Sequence, residues 1–333
     1  MAGAKERVLR RRIASVNSTK KITRAMELIA ATRVVKAMQR ANEARPYATQ
    51  ITTVIENLAA GGAAANHPLL RQPEQVNRVG IIAIAGDRGL AGPYNAGVIR
   101  AAEKQLDGAR IDGADYALIL CGKKTNDYFR FRGFDIAESY EGMSDSPTYE
   151  DARTVANRVM EMFTAGDVDR VELIYTEFVS MGTQRVTVRR FLPLESTESM
   201  ATGGSVDDGG ALAEFEFEPS PDGVLQSLLP RYVEARLYGA MLDAAASEHA
   251  NRQRAMKAAT DNAEELKLKL TREMNSVRQE AITTEIMEIV GGAEALADDR
   301  GSSSDLLLDH LVPAHLFPDH PDQRDPHFRK HHV

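Results

Sequence analysis

Tryptophan is absent from these 333 residues, cysteine occurs once, at Cys121, and aromatic residues make up only 6%. A lone cysteine excludes an intramolecular disulfide, and the opening residues lack the apolar stretch of a secretory signal, so a reducing, cytosolic setting is expected. No window approaches the roughly 18 uncharged apolar residues of a membrane-spanning helix, which leaves any membrane association to a partner rather than to direct insertion. A core poor in aromatics has to be built from aliphatic side chains and alanine, and a hydrophobic content of 43% is enough for one. No Gly-x-Ser-x-Gly elbow exists, no histidine motif stands near Cys121, and the acids scatter over helix faces. No catalytic residue, cofactor site or metal site is expected.

Acidic residues are scarce at the amino terminus, although the whole chain carries a net charge of −7. Residues 1–45 hold twelve lysines and arginines against three acids, Glu6, Glu27 and Glu43. A basic first segment predicts an acidic partner, either a protein surface or nucleic acid. Nucleic-acid binding usually brings aromatic platforms or a reading motif, and none interleaves with these cations, so a protein surface or a solvated face is favoured.

Glycine and proline are also missing from long stretches. Between Ala4 and Ala60 there is no glycine and one proline, Pro46. Val34, Ala37, Ala41, Ala44, Ala48, Ile51, Ile55 and Leu58 recur at alternating steps of three and four, which is a coiled-coil stripe. Its alanine-rich middle predicts close approach of a partner helix, and Pro46 predicts a kink. From Asp222 to about Leu296 a second helical pattern appears, interrupted at Pro230 and Gly239. Here Met256, Ala259, Ala263, Leu266, Leu270, Met274, Val277 and Ala281 hold the same spacing. Two such stripes flanking one domain can bury themselves only against each other, as a long antiparallel coiled coil of the N- and C-terminal helices.

The middle of the chain changes period. Short apolar runs at Arg78–Ala85 and Asp115–Cys121 read as buried strands with a helix over about Pro93–Leu106 between them. A strand near Phe134–Ser139, a helix over about Thr148–Phe163, and strands at Val171–Val179 and Thr183–Leu192 joined at Met181-Gly182 complete a central α/β (Rossmann-like) domain with a mixed sheet. Phe215 and Phe217 alternate like a brief edge strand. The expected organisation is an N-terminal helix over 1–60, the α/β domain over 61–221 with a mobile Gly-rich loop at 196–210, a C-terminal helix over 222–296, and a disordered tail over 297–333. Six of the eight histidines lie in that tail, but prolines separate them and no helical His pair forms, so adventitious metal binding is all they suggest.

Gly86-Asp87-Arg88-Gly89-Leu90-Ala91-Gly92 follows a strand and opens a helix, where glycines are able to cradle phosphate. The Gly-x-Gly-x-x-Gly spacing and the Gly-Lys-Ser/Thr ending are both absent, which favours a tight packing turn.

Several segments resemble the ATP synthase gamma family. Met1–Lys5, Ile13–Val16, Lys21–Met26 and Ala30–Arg33 are similar to its start, while Ala258–Ala263 and Ile282–Ala293 are similar to its carboxy-terminal signature. The resemblance covers residues 1 to about 296. It implies a central-stalk rotor shaft that carries the rotation of a proton-driven membrane ring to the catalytic alpha and beta hexamer, and regulates ATPase activity and proton flow. A non-catalytic subunit at the cytoplasmic face of a bacterial membrane follows, with alpha, beta, epsilon and the membrane c-ring as partners and no nucleic acid. Arg278 and Gln279 resemble the pair that meets the catch loop of beta, with Thr283, Glu285 and Glu288 nearby; Arg24 and Met26 resemble their counterparts on the first helix. For Met26 a plain coiled-coil core position, and for Glu285 and Glu288 a solvated face, compete with those roles. Ala91 stands where the family usually has cysteine, and the single cysteine excludes the redox pair of the plant chloroplast version.

Overall fold

The computed structural model describes residues 2–60, 67–194 and 221–298. The expected loop at 196–210, the Phe215/Phe217 strand and the tail from residue 299 lie outside the described residues. Two helices dominate: α1 (Ala2–Ala60) and the last helix, Pro221–Asp298, which becomes α5 below. The last helix runs on through Pro230 and Gly239, where an interruption was expected, and α1 stays helical through Pro46. Pro46 sits on an exposed face, where water is able to serve the carbonyl that the missing N–H leaves free. The chain forms two compact units, one spanning Val16–Leu266 and the other combining residues up to Ser15 with those from Lys267.

In the larger unit the order is β1 (Arg78–Ile84), α2 (Tyr94–Ile111), β2 (Asp115–Cys121), α3 (Lys123–Phe131), β3 (Glu138–Tyr140), α4 (Tyr149–Ala165), β4 (Arg170–Phe178) and β5 (Gln184–Leu192), followed by α5. The five strands lie in the order β3-β2-β1-β4-β5; the first four are parallel and β5 is antiparallel to β4. Helices cover both faces of the sheet, so β1 and β2 are apolar on both sides rather than alternating. Val79, Ile81 and Ala83 face Val98, Leu106 and Phe129 of α2 and α3. Ile82 and Ile84 face the other way, into a core shared by α4, α5 and Ile51 and Ile55 of α1. Each fully buried aliphatic side chain there contributes about 1.5–3 kcal/mol.

Local signals fix the helix ends. Thr148 and Asp151 form a reciprocal capping box at the start of α4, and Gly166, at φ 81°, ends it in the left-handed conformation. Helix α3 was not expected from its sequence. Only Thr125, Asn126 and Phe129 of it are buried, too few for a readable period. Parallel pairing of β2 and β3 nonetheless demands a crossover between them, and α3 supplies it. β3 is also shorter and later than expected, because Phe134 and Ile136 pack over the α2/α3 core instead, with Phe134 edge-on to Phe129 at 5.3 Å.

The paired helices of the larger unit run antiparallel: Thr260 Oγ1 donates to Thr23 Oγ1 at 2.8 Å, and one turn further along α5 Glu264 pairs with Lys20 on α1. Val34, Ala37, Ile51, Ile55, Met256 and Ala263 of the expected stripes are buried. Leu266 is not, at 45% exposure. The alanine-rich middle does not close as expected. Ala41, Ala44 and Ala48 of α1 face Ala235, Gly239 and Ala240 of α5 across a cleft of about 420 Å³. Both helices are anchored on the sheet at this level, so short side chains leave volume between them.

Gly122, at the end of β2, has φ 111°, and a Cβ there would lie 2.2 Å from the Ala85 carbonyl oxygen. Gly122→Ala is therefore expected to lower stability by about 3 kcal/mol or more, read as the urea midpoint of the full chain. An unchanged midpoint would contradict this packing.

Candidate functional site

Two regions qualify as candidate sites: the crevice at the carboxyl ends of β1 and β4, and the helix surfaces that carry the expected contact residues. The strand order reverses between β1 and β4, which is the place where open α/β sheets bind nucleotides. The 86–92 turn lies at the end of β1, as its sequence suggested.

That crevice is filled by α5. Ser247 Oγ donates to the carbonyl of Thr176, near the end of β4, at 3.0 Å. Glu248 reaches the turn itself, with its carboxyl group 2.9 Å from where a Cβ on Gly86 would lie. Only glycine at position 86 admits this approach. Two backbone donors of the turn are already used: the Gly86 N–H donates to Asn95 Oδ1 at 2.8 Å, and the Asp87 N–H to Ser144 Oγ at 2.9 Å. The Glu248 carboxyl group thus packs directly on the turn, which serves here as a packing element between β1 and α5.

Glu248 is 1% exposed and forms an ion pair with Arg252, whose Nη2 also donates to the Gly89 carbonyl at 3.3 Å. His249 Nε2 donates to the Asp145 carbonyl at 3.0 Å, and its Nδ1 accepts from Arg252 Nη1 at 3.4 Å, an arrangement that suits the neutral ring. Burial lowers the His249 pKa, against the opposing pull of the Asp145 carbonyl and Glu248. Asp145 in turn pairs with Arg33 of α1. Asp87 holds the neighbouring loop: burial pushes its carboxyl up, but N–H donors from Gly142, Lys123 and Ser144 outweigh that and keep it below the usual range. Cys121 lies beneath, its thiol pushed up to about 12 by burial and by Asp87, so it carries no thiolate at neutral pH.

The expected contact residues lie on the helices. In the larger unit, Arg24 is exposed and donates from Nη1 to Glu27 Oε1 at 2.8 Å, while Met26 is half-buried. Exposed Ile22, Leu28, Ile29 and Val35 share this stretch of α1. In the smaller unit, Leu9 and Leu270 are buried, and α5 keeps a half-buried stripe through Thr271, Met274, Val277 and Ala281. Arg278, Gln279, Thr283, Glu285 and Glu288 are all exposed. Beyond Ala281 the stripe ends, and Ile282, Ile286, Met287, Ile289 and Val290 are 44–68% exposed. Large exposed apolar side chains over about half the circumference of this helix mark a surface that a partner buries.

The Glu248, His249 and Arg252 cluster was missed from sequence. Part of its signal was present: Glu248 and His249 interrupt the small-residue run Ala244–Ala250 of α5, whereas Arg252, between Asn251 and Gln253, reads as an ordinary polar position. The Thr23–Thr260 contact had no comparable signal.

A sheet crevice closed by its own helix, with two long helices that expose apolar contact surface, defines an α/β coiled-coil protein that works through partners. Among the described residues no helix is long and apolar enough to cross a membrane. The family model for ATP synthase matches residues 5–296. The ATP synthase gamma chain of Frankia casuarinae is 49% identical over 295 residues, covering 87% of this chain and 97% of its own length. That of Acidothermus cellulolyticus is 48% identical, with 88% and 98% covered. The chain belongs to the ATP synthase gamma chain family. In fold it is similar to a chain of the Euglena gracilis mitochondrial ATP synthase, with a TM-score of 0.62, 16% identity, and 91% of this chain and 98% of that one covered.

Removing Glu248 strands a buried guanidinium. Glu248→Ala is expected to lower stability by about 3–5 kcal/mol in urea unfolding and Glu248→Gln by less, since the amide oxygen still accepts from Arg252. Because the folded-state pKa of His249 lies below its unfolded value, the stability it contributes is present above about pH 6.5 and lost as pH falls through the folded value. His249→Gln, which retains a donor, is expected to flatten the fall in the urea midpoint below about pH 6.5. An unchanged slope would contradict the neutral assignment.

Proposed function

We propose that this chain is the central-stalk rotor shaft of an F-type ATP synthase. It carries the rotation of a proton-driven membrane ring to the catalytic alpha and beta subunits, and regulates ATPase activity and proton flow. Family membership sets the frame, and the observation that carries the mechanical reading is the uncovered apolar end of α5 beyond Ala281. An exposed apolar face of this kind calls for a partner to cover it, and the catalytic subunits around a shaft provide one. The chain itself is non-catalytic and works as a peripheral subunit at the cytoplasmic face of a bacterial membrane, with epsilon and the c-ring as further partners.

A shaft biases a catalytic site only by as much as its contacts favour one conformation over another. Those contacts are assigned to Arg278, Gln279, Thr283, Glu285 and Glu288 on α5, and to Arg24 and Met26 on α1. The exposure of six of them, and the half-exposure of Met26, support this assignment. The basic first helix suits acidic loops on the beta subunits.

Tagged chain is expected to recover alpha, beta and epsilon subunits from its source membrane; recovery of the chain alone would sink the rotor reading. Within the assembled complex, Arg278→Ala or Gln279→Ala is expected to slow ATP turnover by up to about tenfold, a change of about 1.4 kcal/mol or less, with subunit composition intact. Turnover at the wild-type rate would remove the catch assignment.

A further inference from the structure

The cleft between α1 and α5 shares no lining residue with the sheet crevice. Its volume of about 420 Å³ falls within the range of small-molecule sites. The small side chains of both helices form its walls, and Leu173 and Tyr175 of β4 its floor. Tyr47, Tyr149 and Tyr238 add ring surface; Tyr149 and Tyr238 meet edge to face at 5.7 Å, which holds both in place. Tyr149 is further fixed by donating to Glu234 Oε2 at 2.6 Å.

Three guanidinium groups line the cleft against one carboxylate, Asp243. Two of the three are engaged elsewhere. Arg189 pairs with Glu177 at 2.8 Å and lies over the Tyr175 ring, and Arg236 donates to the Arg190 carbonyl at 3.1 Å and stacks on Phe191 and Tyr232. Arg45, on α1, faces Asp243 without a hydrogen bond to it, so its donors are open to an anion entering the cleft.

We propose that this cleft binds a small aromatic anion, its ring lying between the tyrosines and its charged group held by Arg45. Stacking surface, apolar walls and one uncommitted guanidinium are what such a ligand requires. The surroundings of Asp243 add a dependence on pH. Burial lifts its carboxyl to about 6; Arg45 on α1 and Arg189 on β5 pull it down, and Glu177 on β4 pushes it up. An anion placed beside it raises it further, so binding takes up a proton and weakens as pH rises above that value.

Isothermal titration of the full-length chain with sodium 2-naphthoate tests this. One saturable site is expected, with affinity falling severalfold between about pH 6 and about pH 8. Arg45→Gln should weaken binding about tenfold and Arg45→Lys should restore most of it, while the uncharged 2-naphthamide should bind about tenfold more weakly than the carboxylate. Gly239→Phe should abolish binding: a Cβ at Gly239 meets no heavy atom within 4 Å, so the ring grows into the cleft without backbone clash. Ala44→Leu fills the same space from the other wall, should the first variant fail to fold. Absence of saturable binding, equal affinity for the amide, or wild-type affinity in a folded cleft-filling variant would each overturn the proposal.

Discussion

A charge pair shut away from water, Glu248 with Arg252, determines where the pieces of the larger unit sit. Replacing a buried ion pair with apolar side chains is often neutral or stabilising, so its worth lies in position as much as in energy. Glu248 lies against Gly86 at the end of β1, Arg252 reaches Gly89, and His249 reaches Asp145, which takes Arg33 from α1. One network therefore ties the last helix, the first helix and two loops of the sheet domain together. Glu248 and Arg252 share one helix and would move together, so a slide by one turn would keep their pair but lose the fit of Glu248 against Gly86 and the bonds of Arg252 to Gly89 and of His249 to Asp145.

The same network explains how a nucleotide-type sheet serves a protein that works by contact. The topology places a crevice at the β1/β4 switch point, as it does in dinucleotide-binding domains. Here the crevice receives a segment of the protein's own helix, with the Glu248 carboxyl group packed against Gly86. The sheet domain is thereby converted into an anchor for the paired helices.

Much of this was legible in the residues. Apolar runs revealed the strands around Ile81, Leu118 and Ile174, and three-and-four spacing revealed both long helices, because burial on a regular element imprints a period. What had no period went unseen: α3 buries only three residues, and Phe134 and Ile136 serve packing, not pairing. The alanine stripe misled in a more instructive way. Small side chains permit close approach of two helices, but they do not compel it when each is already anchored to a sheet. Of the candidate site, the contact residues came from family resemblance, while Glu248 and Arg252, thirteen dozen residues and more from the loop they hold, are joined to it only by tertiary structure.

The run of α5 beyond Ala281 has one further property. This run is nucleated by the packed part of the same helix, but among the described residues little burial offsets the ordering of its exposed side chains. Among the described helices its backbone amides are accordingly expected to exchange readily with solvent in the free chain, and the stiffness of that segment belongs to the assembled complex. The end of the shaft becomes rigid only where it is held.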